Sequence, residues 1–100
     1  MCANKKKMEE LRALRKQGGE WLKAQREGAG MSQRQLASEL NLPYYTFISQ
    51  VESGVGRIPP ASYAAWAIAL EIPVVRFVHT MLMYYDPIVF DLMFPSRTSV

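Results

Sequence analysis

The sequence predicts an all-α domain, and three observations carry that prediction. Apolar residues recur at three- and four-residue spacing in segment after segment, Gly and Pro punctuate those segments at short intervals, and almost no stretch alternates apolar and polar residues as a half-buried strand would. With 100 residues, 49% hydrophobic and 21% charged, the chain has room for one domain with a modest core and enough apolar surface to fold.

Taken in order, Met8, Leu11 and Leu14 keep helical spacing in a charged opening segment, and Gly18-Gly19 is expected to end or kink it. Residues 1–18 therefore read as a basic, partly helical N-terminal extension, whose KKK run, Lys5 to Lys7, reads more readily as a solvated tail than as a binding arm. A second helix is expected from about Glu20 to Gly28, with Gly28 and Gly30 closing it. Ser32 looks like an N-cap for a helix over Gln33 to Leu40, where Leu36, Ala37 and Leu40 form one apolar stripe. Asn41-Leu42-Pro43 breaks that helix, because Pro43 lacks an N–H and pushes Leu42 out of the α region, while suiting the first turn of a new helix. The new helix is expected from Tyr44 or Tyr45 to Ser53, with Phe47 or Ile48 and Val51 inward and Gly54 as its stop.

After Gly56 and Pro59-Pro60, the stretch Ala61 to Leu70 spaces Tyr63, Trp66, Ala67 and Leu70 for a helix. Another is expected from Val74 to Tyr85, opened by Pro73 and carrying Phe77, Val78, Met81 and Leu82 on its face. Pro87 to Phe94 reads as a short apolar helix or turn, and Pro95 to Val100 as a loop.

Charge and cysteine usage narrow the function classes. The formal net charge is +3, and ten of the 12 Lys/Arg but six of the nine Asp/Glu lie at or before Arg57, so the basic half is N-terminal and suits an acidic partner such as nucleic acid. Cys2 is the only cysteine, which excludes an internal disulfide or a cysteine metal site and fits a reducing, cytoplasmic compartment. The opening MCANKKKMEE has no apolar region after its positive charges, as a secretory signal would need. The apolar stretch from Ile58 to Phe94 is interrupted by Pro59, Pro60, Glu71, Pro73, Arg76, His79, Asp86 and Pro87, so it falls short of the roughly 18 apolar residues of a membrane span.

Catalytic chemistry finds little to work with. His79 sits in an apolar helix with no cysteine, second histidine or catalytic partner nearby and reads as a core or interface residue. Asp86 and Asp91 share no helical face, and Asp86 before Pro87 is better explained as a helix stop. There is no Gly-rich phosphate loop, metal-spaced cluster or activated nucleophile, so no enzyme, cofactor, metal or small-molecule ligand is expected.

Two short helices joined by a turn, the second polar on one face, follow the helix-turn-helix plan in which the second helix enters the major groove. At this point the residues resemble a family. GMSQRQLASELNLPYYTFISQVESG, residues 30–54, is similar to the core of the lambda Cro and repressor-type helix-turn-helix domains (the XRE family), through Gly30, Ser32-Gln33, Leu36-Ala37, Ile48-Ser49-Gln50-Val51-Glu52 and Gly54 in that order. The resemblance covers Glu20 to about Tyr85. It implies a compact five-helix lambda-repressor-like domain over residues 19–85, with an extra N-terminal helical segment and a short C-terminal helix.

The same resemblance implies roles. Tyr45, Thr46, Ser49 and Gln50 match base-facing positions, and the Gln50 amide can pair bidentately with adenine. Gln33, Tyr44, Ser53 and Arg57 match positions along the sugar-phosphate backbone, with Gln33 also bracing the recognition helix. Arg26 and Glu52 match a structural ion pair between the first helix and the recognition helix. Between Leu40 and Glu52 the chain holds one residue more than the commonest family spacing, which leaves open whether Tyr44 or Tyr45 faces the DNA.

Assembly falls to the ends of the chain. Residues 86–100 carry Val89, Phe90, Leu92, Met93 and Phe94, more apolar surface than a five-helix core needs, and this segment with the helix Val74 to Tyr85 is the expected surface of a homodimer on a two-fold site, with Phe90, Met93 and Phe94 as its contacts. The leading expectation is a nucleoid-associated transcriptional regulator, bacterial or phage, that binds double-stranded DNA sequence-specifically. The alternative is a helix-turn-helix protein-interaction module, such as an antitoxin or co-regulator, whose protein partner binds the apolar C-terminal end.

Overall fold

In the computed structural model, residues 2–95 are described, with side chains from Lys5 onward. Among them are six α-helices, one 3-10 turn and no strand: α1 (Cys2–Gly28), α2 (Gln33–Glu39), α3 (Thr46–Ser53), a 3-10 turn (Pro60–Ser62), α4 (Tyr63–Leu70), α5 (Val74–Tyr85) and α6 (Pro87–Met93). Over the described residues the regular structure is all helical, as the periodicity predicts. The loop expected beyond Pro95 lies outside the described residues.

The expected break at Gly18-Gly19 does not occur, and α1 continues through both glycines. They serve packing instead. A Cβ at Gly19 would overlap the carbonyl of Glu52 and lie 2.7 Å from the carbonyl oxygen of Val51, and one at Gly18 would lie 2.9 Å from the Tyr84 Cβ. Without side chains here, α1 lets the end of α3 and the face of α5 approach its backbone closely enough to bury the residues between them. The basic N-terminal segment and the first core helix are thus one continuous rod.

Three of the helix stops share one hydrogen-bond pattern. At the end of α1, Gly30 has φ 76° and the amide of Met31 donates to the Arg26 carbonyl at 3.2 Å. At the end of α2, Asn41 has φ 58° and the amide of Leu42 donates to the Ala37 carbonyl at 2.9 Å. After α4, Glu71 has φ 60° and the amide of Ile72 donates to the Ala67 carbonyl at 2.9 Å. Each is a Schellman closure around a left-handed residue. Gly28 is the last residue of α1, where the sequence places the end of that helix.

Asn41 therefore stops α2 two residues before Pro43, which neither terminates that helix nor opens the next. Leu40 to Tyr45 form the connection, and α3 begins at Thr46 with Tyr45 as its N-cap. The link is six residues long and contains both tyrosines. At the start of α2, Ser32 forms the expected cap as a full capping box: its hydroxyl accepts from the Gln35 amide at 3.0 Å, and the Gln35 side chain accepts from the Ser32 amide at 2.7 Å.

The core draws on every helix from α1 to α5. Leu22, Leu36, Ile48, Val51, Ile58, Trp66, Phe77 and Met81 are almost wholly buried at its centre. Ala37, Tyr63, Ala67, Leu70 and Tyr85 complete it, and the Tyr63 and Phe77 rings meet edge to face at 6.0 Å. Helix α6 contributes no buried residue and rests against α5. No helix among the described residues is long and apolar enough to cross a membrane.

Candidate nucleic-acid interface

The site begins with the division of α3 into two faces. Ile48, Val51 and Glu52 are buried and Phe47 is half-buried, while Thr46, Ser49, Gln50 and Ser53 are exposed. Positions three and four apart share a helix face, so the four polar residues form one row pointing away from the core. Ser53 hydroxyl donates to the Gln50 carbonyl at 3.0 Å, which steadies the C-terminal turn of that row.

What holds α3 in place is polar. Arg26 on α1 donates from Nε to Glu52 Oε2 at 2.6 Å and from Nη2 to Glu52 Oε1 at 3.0 Å. Its Nη1 donates to the Met31 carbonyl at 2.8 Å, and Gln33 on α2 donates from Nε2 to Glu52 Oε1 at 3.0 Å. One buried carboxylate thus ties the three helices together. The Glu52 hydrogen bond raises the Arg26 guanidinium above its ordinary value, outweighing the burial that pulls the other way. The pair expected from the sequence is present, and Gln33 is engaged in bracing α3.

The two tyrosines differ in their partners. Tyr44 is 75% exposed and lines a groove of about 210 Å³ together with Thr46, Gln50 and Phe47. Tyr45 lies under the Arg34 guanidinium, which stands 5.1 Å from its ring centroid, and these two residues and Tyr44 line a neighbouring groove of about 390 Å³. Tyr44, expected on the sugar-phosphate backbone, is therefore the tyrosine beside Thr46 and Gln50, and Tyr45, expected at the bases, is stacked with a cation. Arg34 is inconspicuous in the sequence. Its one sequence signal is that it is the sole cation of α2, and the stacking partner comes from across the turn.

Arg57 is not a free cation. Its Nη2 donates to Asp86 Oδ2 at 3.1 Å and its guanidinium stands 4.6 Å from the Tyr85 ring centroid. Asp86 thereby does more than stop α5: it fastens the loop after α3 to the α5–α6 junction. Tyr85 hydroxyl accepts from the Ile58 amide at 3.2 Å in the same region, and burial raises its phenol above the ordinary value of 10.0 against that bond.

At the C-terminal end, Phe90 and Phe94 enclose His79, with ring centroids 4.9 and 4.8 Å from the imidazole. His79 is exposed on α5 and is the anchor of α6, not a core residue. Ile88, Val89, Leu92 and Met93 remain exposed, Leu92 at 77%. Compared with known proteins, the chain matches no protein-family model and no curated protein.

Proposed function

We propose that the protein is a sequence-specific double-stranded DNA-binding regulator of the lambda repressor-like helix-turn-helix type. In this reading α2 and α3 form the motif, and α3 enters the major groove. The observation that carries the reading is the exposed row Thr46, Ser49, Gln50 and Ser53 on a helix whose opposite face is locked by Arg26, Gln33 and Glu52. Reading base edges requires donors and acceptors held at fixed positions, and the three-helix tie supplies that rigidity.

Gln50 is the principal base reader, through bidentate pairing with adenine, and Thr46 and Ser49 flank it. Tyr44, on the same groove as Thr46 and Gln50, packs on a sugar or thymine methyl. Ser53 and the Arg34–Tyr45 stack meet phosphates on either side, positioning the protein without reading sequence. The docking accounts for the N-terminal excess of positive charge and implies a cytoplasmic, nucleoid-associated location.

Two copies are proposed to pair through the exposed side of α6, presenting two α3 helices about one DNA turn apart. That same surface favours a second reading, in which α6 binds a different protein and the molecule works as an antitoxin or co-regulator. Selection of bound sequences from a random duplex pool by the purified chain tests the first reading: an enriched two-fold motif is expected. No enrichment by the chain alone, with enrichment only after a partner protein is added, supports the second.

A further inference from the structure

A groove of about 570 Å³ runs between the N-terminal half of α1 and the C-terminal end of α3. Leu11, Arg12, Arg15 and Lys16 form its α1 wall, and Ser53 and Val55 face them. The positions 11, 12, 15 and 16 belong to one face of the helix, so the cations are aligned along the groove. Gly54, at φ 88°, fixes the crossing: a Cβ there would lie 2.9 Å from the Lys16 Cα.

We propose that this groove is a second DNA-backbone site, in which Arg12, Arg15 and Lys16 hold phosphates of the strand flanking the segment that α3 reads. The proposal rests on the reading of α3 as the groove-entering helix. Three features favour a polynucleotide backbone. The wall carries three cations and no acid lines the groove. Among the described residues none of the three makes an ion pair, whereas Arg26 and Arg57 both do. The groove also shares Ser53 with the exposed polar row of α3, so a strand leaving that row passes directly into it. Arg12 and Lys16 are about 6 Å apart along the helix axis, at 1.5 Å per residue, which suits successive phosphates, and the apolar walls at Leu11 and Val55 can pack on the sugars between.

The uninterrupted passage of α1 through Gly18 and Gly19 makes this geometry available. A break there would have freed the basic segment from α3; the continuous helix instead holds its cations at a fixed distance from the reading row. Phosphate contacts of this kind add affinity on every sequence and leave sequence preference unchanged.

The test compares the full chain with Arg12→Gln/Arg15→Gln/Lys16→Gln on a mixed-sequence duplex of about three helical turns, across a salt series. The salt slope of log affinity is expected to fall by about 2–3 units, near 0.9 for each phosphate that the variant no longer neutralises. The charge-preserving variant Arg12→Lys/Arg15→Lys should keep most of the parent slope, and the sequence enriched from a random pool should stay the same. An unchanged slope in the Gln variant while the parent chain binds duplex overturns this proposal and leaves the reading of α3 intact; that outcome would assign the groove to an acidic protein segment instead. Absence of duplex binding by the parent chain overturns the reading of α3, and this proposal with it.

Discussion

Arg26 and Glu52, 26 residues apart in sequence, meet in a bidentate pair with contacts of 2.6 and 3.0 Å, with side chains only 8% and 4% exposed. A buried pair of this kind contributes little net stability over an apolar substitute, but removing one partner strands a charge. Glu52→Leu is expected to destabilise the fold by about 3–5 kcal/mol, and Arg26→Met/Glu52→Leu together by less than the sum of the two single changes. Chemical denaturation of the three variants measures the coupling. Additive losses would show that the pair is not a unit.

Gln50 makes no hydrogen bond through its side chain to the rest of the protein among the described residues, and its backbone carbonyl accepts from the Ser53 hydroxyl and the Gly56 amide. Gln50→Ala should therefore leave folding unchanged. On DNA it is expected to lose about 1–3 kcal/mol of discrimination at one base pair, with little effect on non-specific affinity. Competition binding with single-base variants of the selected site reads this out. Equal weakening on all sequences would remove Gln50 from the base readers.

Gly19 and Gly28 lie in the same helix and should respond oppositely to alanine. At Gly19 the methyl would collide with the end of α3, so Gly19→Ala is expected to cost about 1–3 kcal/mol through overpacking. At Gly28 nothing lies within 4 Å, and Gly28→Ala should stabilise by about 0.5–1 kcal/mol through helix propensity. Thermal midpoints of the two variants give the comparison, and a neutral Gly19→Ala would mean that the α1–α3 crossing is loose.

Burial raises the phenols of Tyr63 and Tyr85 above 10.0, so the fold favours their neutral forms. Their contribution to stability is complete below pH 10 and is lost as pH rises through the higher folded-state values. Stability should thus fall on the alkaline side, and Tyr85→Phe should flatten part of that limb. The same variant leaves the Ile58 amide without its partner, at an expected cost of about 1–3 kcal/mol near neutral pH. Denaturation free energies measured across alkaline pH separate the two effects.

Leu92 and Met93 project from α6 at 77% and 60% exposure. If two copies pair there, Leu92→Lys/Met93→Lys should convert a dimer to a monomer in sedimentation equilibrium and weaken binding to a two-fold site more than to a single half-site. A dimer that survives the double change would move the pairing surface away from α6.

The all-helical class and the approximate positions of its helices are legible in the chain because they are local. Apolar spacing of three and four residues builds the faces of α2 to α5, Ser32 with Gln35 writes a capping box, and Gly54 ends α3. The polar row of α3 follows equally from spacing, since Ile48 and Val51 fix which side turns inward. Helix ends are less legible. Pro43 is a strong breaker by its chemistry, yet Asn41 in the left-handed region has already closed α2 through two backbone bonds.

The site residues divide in the same way. The sequence by itself determined which side chains α3 exposes, because that depends only on the helical period and on which positions are apolar. Only the tertiary structure decided what the remaining polar residues do. Gly18 and Gly19 read as a helix break until α3 and α5 are placed against them; Arg57 has no visible partner until Asp86 and Tyr85 are brought beside it; Arg34 is only the sole cation of its helix until Tyr45 lies under it. Local propensity sets what a residue can do, but a glycine's neighbours and a cation's partner come from residues distant in sequence, and those are fixed only when the core closes.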